Sequence, residues 1–180
     1  MRFADILHLP QTPAGLIREE AARRAFPDIP LDVLQQVVVD HGANDDFQRQ
    51  YGELDLNTVV WSLRCMPARE LINASMFSDF STWFHSVFER TLHFSTGGWS
   101  SVDQREQVAQ HWRTYRTWAR APVFLTGNLT DSSRSLHLVE GHTRLAVLSA
   151  LVHLDVIESD STHQAWVGAA ETDRVTDSAG

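Results

Sequence analysis

The sequence predicts an α+β fold: a small mixed sheet packed with helices, preceded by an N-terminal helical extension. Four short stretches are either alternately apolar and polar or wholly apolar, as β-strands are; they are residues 59–65, 123–126, 135–140 and 163–168. Longer stretches repeat apolar residues every three or four positions, which is typical of helices with one buried face. Because several helices precede the first strand and do not alternate regularly with strands, the order favours α+β.

The helical extension is predicted to span residues 1–53. Thr12 and Pro13 resemble a helix start, with threonine as the N-cap and proline in the first turn. A second helix is predicted over residues 31–41, whereas residues 44–52 are polar and predict a loop or one loose helical turn. We expect this extension to brace the main domain, and nothing in its sequence suggests chemistry.

The main domain is predicted to span residues 54–168 and to begin with the strand at 59–65. The single cysteine, Cys65, lies in the alternating pattern of this strand, which predicts a small buried side chain rather than a nucleophile. A short helix is predicted over residues 68–73. The next helix carries an apolar stripe that is predicted to pack in the core, made of Trp83, Phe84, Val87, Phe88 and Leu92.

A long helix is predicted to follow the glycine-containing loop at residues 93–102. It would start at a capping box at residues 101–104 and end near Arg120. Arg113, Arg116 and Arg120 are spaced so that they would share one face of this helix. The pattern is typical of a solvated cationic stripe, and the alternative is that one of these arginines reaches a bound ligand.

The stretch from residue 135 to residue 151 organises the rest of the prediction. Its first half pairs with residues 123–126 as a hairpin; Gly141 then allows a sharp turn, and helical spacing begins at His142. The first turn of a helix has free N–H groups and the positive end of the helix dipole, so it is a natural anion site. The polar side chains at this turn are Glu140, His142, Thr143 and Arg144.

The end of the chain is predicted to be a closing strand and a tail. Alternation over residues 163–168 indicates the strand. Residues 169–180 are small and polar and predict a disordered tail.

Composition excludes several classes of site. All 15 basic residues are arginine, so the chain lacks the lysine of a P-loop or of Schiff-base chemistry. One cysteine excludes an internal disulfide and a cysteine-based zinc cluster, and the nine histidines lack the spacing of a metal motif. No metal site is predicted from protein ligands alone.

Charge and hydropathy restrict the partners. The formal net charge of −8 argues against nucleic acid, which needs clustered positive charge, and favours a small anion held by a few arginines. No apolar run reaches the roughly 18 to 20 residues that a membrane span needs. The N-terminus has no signal-peptide pattern, so we predict a cytoplasmic protein with no membrane partner.

The residues E-G-H-T-R-L at positions 140–145 resemble the Gly-x-x-Arg box of the ParB/sulfiredoxin-like superfamily. In that superfamily a strand is followed by glycine, two variable residues and an arginine that opens a nucleotide-binding helix. The order of strands and helices over about residues 55–168 is also similar. The resemblance implies a nucleotide-binding domain that uses ATP or another nucleotide with Mg²⁺, as a phosphotransferase or a nucleotide hydrolase.

Such a site would divide its tasks among the residues of the turn. Glu140 and His142 are the candidate catalytic residues, the first to activate a hydroxyl or help hold Mg²⁺, the second as an acid or base. Arg144 would bind phosphate through its planar guanidinium. The candidate nucleotide-binding residues are Gly141, His142, Thr143, Arg144 and Arg116.

The sequence departs from two branches of the superfamily. Sulfiredoxins need a cysteine in the box, which is absent here, and chromosome-partitioning ParB proteins carry a helix-turn-helix domain for which too few residues follow. Two alternatives stay open: a non-catalytic module that senses nucleotide or binds a protein partner, and a ParB-like nuclease, which the negative charge disfavours.

Each site residue also has a structural interpretation. Arg144 could form a salt bridge with Glu140 or Asp103, and His142 could be a surface side chain. Glu140 could stabilise the helix dipole alone.

Overall fold

A four-stranded mixed sheet forms the centre of the structure, a computed structural model that describes residues 1–130 and 132–171. Its strands are β1 (Val59–Pro67), β2 (Val123–Thr126), β3 (Leu136–Glu140) and β4 (Thr162–Ala170), in the order β1-β4-β2-β3. β4 pairs antiparallel with β1 and parallel with β2, and β2 and β3 form the predicted antiparallel hairpin. The prediction of a small mixed sheet packed with helices is confirmed.

Helices lie before the first strand and between the strands. They are α1 (Glu19–Ala25), α2 (Leu31–Val33), α3 (Asp45–Tyr51), α4 (Ala68–Leu71), α5 (Ser81–Leu92), α6 (Phe94–Gly97), α7 (Glu106–Tyr115) and α8 (His142–His153). A π-helical segment, Leu34–Val39, continues α2. Short 3-10 turns add Phe3–His8, Leu56–Thr58, Ser78–Phe80, Gly98–Ser101 and Gly127–Leu129. Among the residues with described positions, no helix is long and apolar enough to cross a membrane.

The two faces of the sheet pack into two separate apolar clusters. Val123 and Leu125 of β2 join a cluster formed mainly by the N-terminal helices, whereas Phe124 between them joins the cluster around α8. This division follows from the two-residue period of a strand. In α8, Leu145 and Leu148 are at most 1% exposed, and truncating such a leucine to alanine typically costs about 2 to 5 kcal/mol. Burial of this helix against the sheet therefore fixes the position of its first turn.

The predicted helix start at Thr12 is wrong. The Thr12 hydroxyl accepts a hydrogen bond from the N–H of Leu16 at 3.1 Å, inside a turn where Gly15 has φ +81°. A residue with that φ cannot continue a right-handed helix, so α1 begins only at Glu19.

Residues 44–52, predicted as a loop or one loose helical turn, contain the seven-residue helix α3. Asn44 caps this helix, because its side chain accepts hydrogen bonds from the N–H groups of Asp46 and Phe47 at 2.9 and 3.3 Å. Phe47 and Tyr51, four residues apart, bury one face of the helix. Packing of these two rings in the core therefore stabilises a helix that the polar composition of the segment did not predict.

The predicted long helix is shorter than expected. α7 ends at Tyr115 because Arg116 adopts a left-handed conformation with φ +57°. Arg120 therefore lies beyond the helix and does not share a face with Arg113. Residues 93–102, predicted as a loop, contain α6 and a 3-10 turn.

Two side chains predicted to be buried are exposed. Cys65 lies on β1, which is an edge strand of the sheet, and it faces solvent. Trp83 is 59% exposed, although Val87 of the same predicted stripe is buried.

β4 extends to Ala170, so the predicted tail begins inside the sheet, and its residues 172–180 lie outside the described residues.

Candidate functional site

The turn between β3 and α8 lies where the sequence places it. Gly141 has φ +108°, and a Cβ atom there would come within 2.5 Å of the Pro122 Cβ. Glycine is therefore required both for the backbone conformation and for the close approach of residue 122. The N–H groups of His142, Thr143 and Arg144 have no hydrogen-bond partner among residues 1–130 and 132–171. Three free donors thus point away from the start of a 12-residue helix.

Arg144 is held from three directions. Its Nη1 donates to the carbonyl of Arg120 at 3.0 Å, and its Nη2 donates to the Gln36 Oε1 at 2.8 Å. Its Nη2 also pairs with the Glu140 carboxylate one helical turn earlier. Burial lowers the pKa of Arg144, and the nearby Glu140 charge opposes that shift. The two candidate residues are therefore partners of each other, which is one of the structural interpretations considered for Arg144.

The N-terminal helices supply side chains that sequence analysis missed. Gln36, in the π-helical segment, is 2% exposed and also donates to the carbonyl of Ala121 at 3.0 Å. Asp32 accepts from Arg120 Nε at 2.5 Å and from the Trp166 indole N–H at 2.9 Å. The available signal was a pair of glutamines, Gln35 and Gln36, between apolar residues, because an amide that is buried there needs partners. Gln36 thus links the N-terminal extension to Arg144.

His142 is a largely buried, neutral side chain. Its ring packs on Phe80 with centroids 4.3 Å apart, and its buried Nε2 has no hydrogen-bond partner among the residues the structure describes. Burial, with smaller effects from His137, His41 and Arg144, lowers the pKa of His142 to about 4. At neutral pH this imidazole can accept or donate a hydrogen bond, but it is not a cation.

Two cavities flank the first turn of α8. The smaller, of about 160 Å³, is lined by the turn itself and by the rings of His41, Phe47, Phe80 and Trp83. The larger, of about 340 Å³, is lined on one side by α7 and the segment after it. Glu140, Thr143 and Arg144 line both cavities. The turn is therefore open to two adjacent spaces that could hold parts of one ligand.

The other candidate residues lie outside this group. Arg116 does not line either cavity; its guanidinium stacks over the Trp99 ring, 4.6 Å from the centroid. Asp103 lines the larger cavity but pairs with Arg105 at 2.8 Å, not with Arg144. Sequence spacing could not reveal that α7 ends before Arg116.

Chemically, the arrangement offers hydrogen-bond donors and one guanidinium to an anion. Thr143 adds a hydroxyl, which accepts a hydrogen bond from the Trp83 indole N–H at 3.0 Å and can still donate. Within residues 1–130 and 132–171, no three His, Cys, Asp or Glu side chains are grouped so that they could hold a metal ion.

Comparisons of the chain with protein-family models, with curated proteins and with solved structures found no match.

Proposed function

We propose that this protein binds a nucleotide, with a phosphate group at the first turn of α8. The observation that carries the proposal is that the backbone N–H groups of His142, Thr143 and Arg144 have no partner among the described residues, and that these three residues line a cavity of about 160 Å³. Amide donors at the positive end of a helix bind phosphate without any lysine. The lysine-free composition of the chain is consistent with this means of binding.

The proposal includes membership of the ParB/sulfiredoxin-like superfamily. Its support is the Gly141-x-x-Arg144 box at the start of α8 and the order of a first strand, helices, a hairpin and a closing strand. In this proposal the larger cavity receives the rest of the nucleotide, and any Mg²⁺ arrives with the phosphates.

A non-catalytic module is the second candidate, and the Glu140–Arg144 pair favours it. The Glu140 carboxylate is already engaged by the Arg144 guanidinium, so it is not presented to the hydroxyl of a substrate. Phosphoryl transfer with Glu140 as base would require the pair to open when substrate binds. Neutral His142 remains available as a hydrogen-bond donor in either case.

Binding is tested by adding a negative charge at the turn. Thr143→Asp should leave the melting temperature unchanged or raise it, since an acid in the first turn favours the helix dipole. The same carboxylate should repel phosphate and raise the Kd for ATP, ADP or CTP at least tenfold, measured by calorimetry with and without Mg²⁺. The matched control is Thr82→Asp, in the first turn of α5 and outside both cavities. Equal affinities of the two variants would overturn the proposal.

Catalysis is tested with Glu140→Gln, which removes a charge but keeps an oxygen acceptor for Arg144. If Glu140→Gln loses nucleotide turnover but still binds nucleotide, the result favours the enzyme. Absence of turnover by the unaltered protein with any of the three nucleotides and Mg²⁺, together with tight binding, favours the module.

A further inference from the structure

The larger cavity shows which kind of nucleotide fits, given the proposed function. Its volume of about 340 Å³ is at the lower end of the range of about 300 to 1,000 Å³ for small-molecule sites. Its walls combine charged side chains with the rings of Trp112 and Trp118 and the aliphatic side chains of Val108 and Val147.

The charges around this cavity cancel. Three arginines line it, and each is paired with an acid: Arg105 with Asp103, Arg120 with Asp32, and Arg144 with Glu140. The lining also includes a third acid of its own, Asp40, beside Asp103 and Glu140. A di- or triphosphate placed here would meet carboxylates as often as guanidinium groups. The cavity therefore suits an uncharged group.

The apolar part of the wall suits a planar, uncharged group. Trp112 and Trp118 are 2% and 5% exposed, and they line the space together with Val108 and Val147. A nucleobase can pack against such a surface, while its polar edge and the ribose hydroxyls can bind the charged side chains opposite.

The smaller cavity has room and donors for one phosphate. It is about half the size of its neighbour, and Glu140 and Arg144 line it as one ion pair. It is also lined by the residues of the α8 turn whose N–H groups have no partner in the part of the chain that the structure describes. Thr143 lines both cavities, so a ligand occupying both would pass this residue. We propose that the larger cavity binds the nucleoside part of the ligand and that the ligand is a nucleoside monophosphate.

The test compares ligands that differ only in phosphate number. Kd values are measured by calorimetry for AMP, GMP, CMP and UMP, for their triphosphates with and without Mg²⁺, and for inorganic phosphate. At least one monophosphate should bind tenfold or more tightly than its triphosphate under both conditions. Tighter binding of every triphosphate would overturn the monophosphate inference and leave the proposed function intact. If no nucleotide and no phosphate binds, the proposed function fails as well.

A cavity-filling variant tests where the nucleoside lies. Ala119 is exposed and lines the larger cavity, so Ala119→Trp should narrow the cavity without disturbing the core. It should raise the Kd of the preferred monophosphate at least tenfold and change that of inorganic phosphate less than twofold. The matched control is Ala14→Trp, an exposed position that lines neither cavity. Unchanged monophosphate binding by a folded Ala119→Trp protein would overturn the placement.

Discussion

The first turns of α5 and α8 differ although both helices have 12 residues and neither has a side-chain N-cap. α5 continues from the 3-10 turn Ser78–Phe80, whose Ser78 carbonyl accepts the N–H of Ser81. α8 starts abruptly at Gly141, and its first turn lines one cavity with His142 and two cavities with Thr143 and Arg144. The two turns touch through the Trp83–Thr143 hydrogen bond.

This comparison shows that the helix dipole alone does not make a candidate site. Both helices have the dipole, but of the two only α8 combines an abrupt start with adjacent space and a partly buried guanidinium. The surroundings of α8 come from the N-terminal helices and from the segment after α7, which are distant in sequence.

The largest expected effect is that of Gly141→Ala. The new Cβ would approach the Pro122 Cβ to 2.5 Å and would force alanine to φ +108°. Overpacking and backbone strain together should cost about 3 kcal/mol of unfolding free energy, measured by urea denaturation. The control is Gly15→Ala, at φ +81° with nothing within 4 Å of the new atom, which should cost about 1 kcal/mol. Equal losses of unfolding free energy in the two variants would show that the close approach to Pro122 does not contribute to the effect.

The next effect is that of Gln36→Leu. The substitution leaves the Ala121 carbonyl and one Arg144 N–H without their buried partner, which should cost about 2 kcal/mol of unfolding free energy. Gln35→Leu is the matched control. Among the described residues the Gln35 side chain donates only to the exposed Asp40 side chain, so its loss should change stability by less than about 0.5 kcal/mol. A cost no greater than that of Gln35→Leu would mean that Gln36 does not support the α8 turn.

Acid should destabilise the protein through His142. Burial lowers the pKa of this imidazole to about 4, below its usual value of 6.5, so the unfolded chain binds more protons between pH 6.5 and 4. Stability is then fully present above pH 6.5 and falls as pH is lowered towards 4, by up to about 1.4 kcal/mol per pH unit. His137, whose pKa burial also lowers to about 4, adds a loss of the same sign.

His142→Phe isolates the contribution of one histidine. Phenylalanine can still pack on Phe80 and cannot be protonated. Denaturation at pH 7 and pH 5 should show a loss smaller by roughly 1 to 2 kcal/mol in the variant. Measurement at pH 8, where His142 is neutral in both states, separates any packing effect. An unchanged difference between pH 7 and pH 5 would show that His142 is accessible to solvent.

The smallest effect concerns two Glu–Arg pairs with the same spacing. In Glu140–Arg144 the side chains are 23% and 21% exposed, whereas in Glu19–Arg23 they are 45% and 52% exposed. Double-mutant cycles with Glu→Gln and Arg→Met should give a coupling of about 1 to 2 kcal/mol for the first pair and about 0.5 kcal/mol or less for the second. Couplings of equal size would mean that solvent screens the α8 pair as it screens the pair on α1.

Local signals predicted the elements around the site correctly. The hairpin, the turn at Gly141 and the start of α8 at His142 depend on side-chain period and on one glycine, which are properties of neighbouring residues. The predictions were wrong where packing between residues distant in sequence decides the structure. Phe47 and Tyr51 bury one face of α3 despite its polar composition, and no element covers Cys65 on β1 among the described residues.

The sequence by itself determined that a buried strand leads through Gly141 into a helix, with Glu140, His142, Thr143 and Arg144 at its first turn. Only the tertiary structure decided that Arg144 is held by Gln36 and Glu140, that Arg116 lies elsewhere and that the turn opens onto two cavities. The physical reason is the distance along the chain over which each effect acts. Backbone period and glycine conformation act over a few residues, whereas the partners of a buried charge are set by which distant segments pack beside it.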